Sequence, residues 1–153
     1  MSDATPHYGI PPFIFGMTRD QTLSAAGHPD KVETEDWKQF GQSELWSYSS
    51  MQIQVQFDEE DSWRMTSITI EEPATTMNGH SLIGCEAQAL AVKAAEAGIP
   101  DVRQTGDYEE NGRCHESELF GLQFWEHEGR IVNVTLFSEF EECGNVRRWP
   151  AAE

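Results

Sequence analysis

From Met51 to Phe57 apolar and polar residues alternate without a break. Met51, Ile53, Val55 and Phe57 are apolar, and Gln52, Gln54 and Gln56 stand between them. A period of two sends successive side chains to opposite faces, so this run predicts a β-strand with one buried and one wet face. The same period predicts strands over Arg64–Glu71, with Ile68 and Ile70 inward, and over Glu118–His127, with Phe120, Leu122 and Phe124 inward. It also predicts one over Arg130–Ser138, with Val132, Val134 and Leu136 inward, reached through a tight turn at Glu128-Gly129. Glu44–Tyr48 reads as a further strand.

Two stretches read as helices. Thr18 with Gln21 three residues later is a capping-box pattern, and the helix it opens ends near Ala26 at Gly27, with Pro29 just beyond. Glu86–Ala97 is rich in alanine and stops at Gly98, which predicts a second and stronger helix. Residues 1–12 form an irregular lead-in, Trp37–Phe40 is ambiguous, Pro73–Gly79 is a loop, and Gly106–Gly112 is a polar loop or weak strand. The tail from Glu139 has no usable period.

These elements come twice. Ile14-Phe15-Gly16 returns as Leu82-Ile83-Gly84, and Gly27-His28-Pro29-Asp30 as Gly98-Ile99-Pro100-Asp101. Val55-Gln56-Phe57 returns as Leu122-Gln123-Phe124, and Arg64–Ile70 as Arg130–Leu136. An ordered series of matches argues for an internal duplication. The expected fold class is therefore α+β: two tandem helix-plus-antiparallel-meander repeats, residues 13–72 and 80–138, in one compact unit with a tail over 139–153. Helices are expected on one face of the sheet and the other face is left exposed.

The outward set under this reading is Gln52, Gln54, Gln56, Ser67, Thr69, Gln123, Trp125, Asn133 and Thr135, which is polar and uncharged with one tryptophan. The charge lies elsewhere. Ten Lys and Arg against 27 Asp and Glu give a net charge of −17. The acids cluster at Asp58-Glu59-Glu60-Asp61, Glu71-Glu72, Glu109-Glu110 with Asp107, and Glu139 with Glu141-Glu142, mostly where strands should end. Such a field repels nucleic acid and anionic membrane and speeds encounter with basic partners. Large aromatics supply binding anchors at interfaces. Of Trp37, Trp46, Tyr48, Trp63 and Trp125, parity turns Trp125 outward, and Trp63 adjoins the acidic turn. The candidate partner-binding residues are Trp125, Trp63, Tyr48, Gln52, Gln54, Gln56, Gln123, Asn133, Thr69, Asp58, Glu59, Glu60, Asp61 and Glu71.

Reactive chemistry is sparse by comparison. There is no Gly-x-Ser-x-Gly, phosphate loop or dinucleotide glycine pattern. Cys114-His115 is the one adjacent thiol and imidazole, in an expected polar loop, and neighbours in sequence seldom reach the oriented geometry a thiolate needs. His80, Cys114, His115 and His127 lack the spacing of a metal site. Cys85, Cys114 and Cys143 read as reduced thiols in a chain without the basic start and apolar stretch of a signal peptide, so a cytoplasmic location is expected. Asn133-Val134-Thr135 matches a glycosylation sequon but falls within an expected strand. No catalytic residue, cofactor or metal is expected.

The segment Phe15-Gly16-Met17-Thr18-Arg19-Asp20, with Gly27-His28-Pro29-Asp30, resembles the helix segment of an α/β repeat. That repeat is shared by the β-lactamase inhibitor proteins and the small outer-membrane-assembly lipoproteins. The resemblance implies two tandem helix-plus-sheet units whose exposed sheet surface grips a protein target. In size, acidity and lack of a catalytic motif the chain also looks like bacterial toxin immunity proteins. The expected function is an acidic, non-enzymatic inhibitor that binds and occludes a basic toxin domain. The alternatives are a nucleic-acid mimic or adaptor in an assembly, and a small enzyme that uses carboxylates.

Overall fold

The computed structural model describes residues 2–109, 112–140 and 147–150. Cys143 and the acidic residues Glu110, Glu141 and Glu142 lie outside the described residues. The chain is a mixed helix and strand fold dominated by one antiparallel sheet. Its strands are β1 (Lys31–Asp36), β2 (Gln42–Tyr48), β3 (Ile53–Asp58), β4 (Arg64–Ile70), β5 (Arg103–Glu109), β6 (Gly112–Ser117), β7 (Leu122–His127) and β8 (Arg130–Phe137). Their spatial order is β5-β6-β7-β8-β4-β3-β2-β1. Two four-stranded meanders thus lie back to back, joined where β8 pairs with β4. The α-helices are α1 (Arg19–Ala26) and α2 (Leu90–Glu96).

Alternation sorts the sheet into two faces as expected. Ile53, Val55, Phe57, Ile68, Ile70, Leu122, Phe124, Val134 and Leu136 are buried in one cluster with Leu90 and Ala94 of α2, and with Phe13 and Phe15 ahead of α1. Leu23 and Ala26 of α1 pack against that cluster. Gln54, Gln56, Thr69, Gln123, Asn133 and Thr135, on the other face, are only partly buried.

Local signals set α1. The Thr18 side chain accepts from Gln21 N–H, the Gln21 side chain accepts from Thr18 N–H, and Gly27 leaves the helix at φ 82°. The stretch expected as one helix over Glu86–Ala97 is split. Ala87–Ala89 is a 3₁₀ turn, and only Leu90–Glu96 is α-helical. No side chain caps this start, and Ala87 N–H donates to the carbonyl of Gly129, which ties the first turn to the β7–β8 hairpin instead. The Glu128-Gly129 turn forms as expected, with both residues at positive φ.

Other expectations need correcting. The lead-in is partly ordered by two-residue pairings of Asp3–Ala4 and Gly9–Ile10, which bury Ala4 and Ile10. β3 starts at Ile53, so Met51 and Gln52 belong to the preceding turn, with Gln52 at φ 54°. β7 starts at Leu122, which leaves Phe120 in a turn. Val132 does not face inward: a β-bulge sets Trp125 against Asn133 and Glu126 against Ile131, so Val132 is the extra residue, 39% exposed, and Ile131 fills the core. A matching bulge leaves Thr66 unpaired between Met65 and Ser67.

The same contacts recur in both meanders. Gly16 N–H donates to Met65 O and Met65 N–H to Met17 O; correspondingly, Gly84 N–H donates to Ile131 O and Ile131 N–H to Cys85 O. Arg64 Nη1 donates to Gly16 O at 2.8 Å, and Arg130 Nη1 to Gly84 O at 2.9 Å. The Gly-x-Pro-Asp motif has a structural task. Asp30 Oδ2 accepts from Ser49 N–H at 2.6 Å, and Asp101 Oδ2 accepts from Leu119 N–H at 3.0 Å, each tying a helix exit to a hairpin turn. The ladders also move one sequence match by two residues. With Thr69 opposite Gln54 and Thr135 opposite Gln123, Gln54 corresponds to Gln123 and Gln56 to Trp125. An even slip keeps every side chain on its face.

Asp101 also accepts from Ser117 Oγ at 2.6 Å. Desolvation pushes its carboxyl up, but the bonds from Ser117 and the backbone amides outweigh that and hold it below the ordinary value. A depressed carboxylate stabilises the fold above its unfolded pKa and loses that contribution as pH falls through the folded one. By losing the bonds from Ser117 and Leu119, Asp101→Ala should cost about 1–2 kcal/mol at neutral pH. In urea melts across a pH series, the gap from the wild type should shrink as the pH enters the acidic range.

Candidate functional site

The sheet face opposite the helices carries the most distinctive surface. On β7 and β8, Trp125 stands directly across from Asn133 and Gln123 across from Thr135; Thr135 in turn faces Thr69 on β4. These five side chains line an open depression of about 500 Å³ at the centre of the sheet. Its floor is neutral. Thr69 Oγ1 and Thr135 Oγ1 share a hydrogen bond of 2.9 Å across the join between meanders, and Gln123 Nε2 donates to Cys114 Sγ at 3.0 Å.

Trp125 is held by what lies beneath it. Gly112 on β6 has no side chain, and a Cβ there would sit 2.6 Å from Trp125 Cζ2. The indole therefore lies against the sheet surface over the glycine. Next to it Cys114 is fully buried across from Trp125, and burial pushes its thiol up more than the Gln123 and Thr105 bonds pull it down. Cys85 is raised too, by burial first. Cys114 lies in a strand rather than the expected loop, and alternation turns His115 to the other face, toward Phe124. Thiol and imidazole do not meet.

The structure divides the remaining candidates. Gln54 donates to Ser47 Oγ at 3.3 Å, and Glu71, Gln52, Gln54 and Ser47 share a second shallow depression of about 280 Å³. Gln52, in its turn, donates to Glu72 Oε2 at 2.6 Å. Asp58 is the hub of an internal network: it accepts from Ser43 Oγ at 2.5 Å, Thr66 Oγ1 at 2.6 Å and Gln56 Nε2 at 2.9 Å. Arg147 bridges Asp61 at 2.9 Å, lies 3.9 Å from Asp58, and donates to Ser138 Oγ at 2.6 Å. These acids clasp Arg147 of the tail to the sheet corner. Glu59 accepts from Gln42 N–H at 3.1 Å, and both Glu59 and Glu60 are exposed.

Two aromatic candidates stand away from this face. Tyr48 is 3% exposed, its ring is 5.0 Å from Phe13, and its hydroxyl donates to Gly27 O at 2.9 Å, so it is core. Trp63 packs against the core with the Arg19 guanidinium 4.3 Å from its ring centre, and Arg19 in turn pairs with Glu44 at 2.8 Å. Acidic residues that the sequence reading passed over frame the uncovered face. Glu33 and Glu35 of β1 stand opposite Leu45 and Ser43, and Glu116 of β6 stands opposite Gln123. For Glu33 and Glu35 the weak alternation of Lys31–Asp36 was the only signal.

Among the described residues no group of three or more His, Cys, Asp and Glu is placed to hold a metal ion, and no helix is long and apolar enough to cross a membrane. Comparison with protein-family models, curated proteins and solved structures finds no match to this chain.

The support of Trp125 by Gly112 is testable. Gly112→Val should lift the indole off the sheet and destabilise the protein by about 1–3 kcal/mol, as overpacking does. A change in the near-ultraviolet circular dichroism of the folded variant, alongside a lower melting temperature, would register both effects.

Proposed function

We propose that the chain is an internally duplicated, non-enzymatic binding protein that holds a basic protein domain against its uncovered sheet face and occludes it. A toxin domain neutralised by a cognate immunity protein fits this description. The observation that carries the reading is the neutral depression walled by Trp125 in a molecule of net charge −17. Amide and hydroxyl side chains lose less on desolvation than carboxylates, so such a floor can be buried at low cost. Trp125 adds a large apolar anchor, and the surrounding acids raise the encounter rate with a basic partner.

The recurrent contacts of the two meanders support the duplication: the Arg64 and Arg130 bonds, the paired bulges, and the Asp30 and Asp101 ties. Some corresponding outward positions differ: Gln56 and Ser67 stand in one meander where Trp125 and Asn133 stand in the other, while Gln54 matches Gln123 and Thr69 matches Thr135. A shared frame with diverged outward residues suits one asymmetric partner. The resemblance at Phe15–Asp20 to proteins that grip a target with an exposed sheet surface points the same way.

The test is a pull-down from the native host, expected to recover a basic protein, followed by calorimetry of its binding. Trp125→Ala should weaken the complex about 30-fold or more, or about 2 kcal/mol, the size of an interface hot spot. Glu60→Gln, at an exposed acid, should instead slow association and reduce its salt dependence. Unchanged affinity in Trp125→Ala would sink the reading.

A further inference from the structure

On the core side of the second meander lies a polar pocket of about 380 Å³. At its base His115 Nε2 and Glu126 Oε1 are 2.7 Å apart, and both residues are more than nine-tenths buried. Arg113 Nη1 is 3.8 Å from the other Glu126 oxygen. Gln104 and Gln88 line the walls, and the small residues Ala87 and Gly129 leave the mouth open.

The first meander shows what the fold does with this space when nothing needs to enter it. In the ladders, Val32–Trp46–Val55 occupies the row that Gln104–His115–Phe124 occupies in the second meander. Phe57, between Glu44 and Met65, corresponds to Glu126, between Arg113 and Ile131. Trp46 and Phe57 pack there with ring centres 4.7 Å apart and planes tilted by 56°. The mouth is closed as well. Arg19 follows Thr18, which bridges Arg64, and it covers Trp63; Ala87 follows Glu86, which bridges Arg130, and Gly129 stands where Trp63 does. One meander fills the site with two packed aromatics and a cation over a third. Its counterpart opens the site over a buried ionisable pair.

Packing does not call for that difference. Replacing a buried ion pair by well-packed apolar residues is often neutral or stabilising, and the first meander already contains the apolar solution. We infer that the opened pocket is a binding site for a small carboxylate-bearing molecule. The side chains lining it include the Arg113 guanidinium, a pure donor, and the Gln88 and Gln104 amides, each able to donate through its NH2, beside the His115–Glu126 pair. Both Glu126 oxygens are directed at groups of the protein itself, so Glu126 acts as a positioning residue that fixes the ring of His115. A guanidinium suits the two oxygens of a carboxylate. The acidic field of the whole molecule is screened beyond about 8 Å at physiological salt, so these local donors dominate at contact. The pocket opens on the core side of the sheet, away from the Trp125 depression, and does not depend on the partner proposed above.

The experiment titrates ¹⁵N-labelled protein with sodium acetate and with sodium succinate, against sodium chloride at matched ionic strength. It follows the ring nitrogens of His115 and the Nε of Arg113 by NMR. Saturable shifts at both residues, absent at exposed His28, are expected with at least one of the two probes. They should be lost in Ala87→Leu, which fills the mouth without touching the pair. The double variant His115→Trp/Glu126→Phe, which copies the first meander, should also fold and fail to bind. Shifts that are linear in concentration, equal to those of His28, or retained in Ala87→Leu would overturn the inference. If the double variant does not fold, the titrations of the wild type and of Ala87→Leu decide alone. Trp125→Ala should bind the probes as the wild type does, so failure here is distinguishable from failure of the proposed partner.

Discussion

Everything in this molecule is arranged around the pairing of β4 with β8. Ile70 against Val134, Thr69 against Thr135, Ile68 against Leu136 and Ser67 against Phe137 convert two four-stranded meanders into one sheet. On the inner side of the join, Ile68, Ile70, Val134 and Leu136 belong to a single buried cluster, so the two half-cores become one. That merger matters for a chain of this size, because a half-length unit buries too small a share of its surface to be comfortably stable. On the outer side the threonine pair brings Gln123, Trp125 and Asn133 of one half beside Thr69 of the other. The depression exists only because the join does.

The central strands were legible because they meet the simplest condition: one face buried and one in water, with a period of two. The helix start at Thr18 and the turn at Glu128-Gly129 were legible because local hydrogen bonding and backbone conformation dictate them. What escaped the sequence lies at the margins of the sheet. β1 has all six residues exposed, so its Lys-Val-Glu-Thr-Glu-Asp carries no apolar stripe to betray it. β6 places a glycine, a buried cysteine and a buried histidine where large apolar residues were sought. Val132 was misplaced because a bulge adds one residue and reverses parity, and nothing in the local pattern announces a bulge. The even slip between Gln56 and Gln123 did no harm to the face assignment.

The site was partly readable for the same reasons. Trp125, Gln123, Asn133 and Thr69 were chosen by parity and do converge. Tyr48 and Trp63 were chosen for residue type, and type does not say which side of the sheet a ring faces. Asp58 and Asp61 were chosen as rim charges but are drawn into a clasp with Arg147. The acids that do frame the face, Glu33, Glu35 and Glu116, sit on the strands hardest to find. At matching ladder positions the two meanders also carry different residues on both sides of the sheet. Gln56 corresponds to Trp125 outside, and Trp46 and Phe57 to His115 and Glu126 inside.

The join between β4 and β8 has a kinetic consequence. Every other pair of neighbours in the main sheet is also adjacent in sequence and linked by a turn of a few residues, so those pairings close early and at little entropic cost. β4 and β8 are separated by the whole second half of the chain, as the pairing of Thr69 with Thr135 shows. Closing that distance fixes a long loop before the pairing returns any stabilisation, which makes it the slow, topology-limited event of folding. Until it occurs, β4 and β8 each present an unpaired edge whose register matches the other, and each is equally able to meet the same edge on a second molecule. The strand pair that completes the monomer is thus also the route by which two chains would exchange halves.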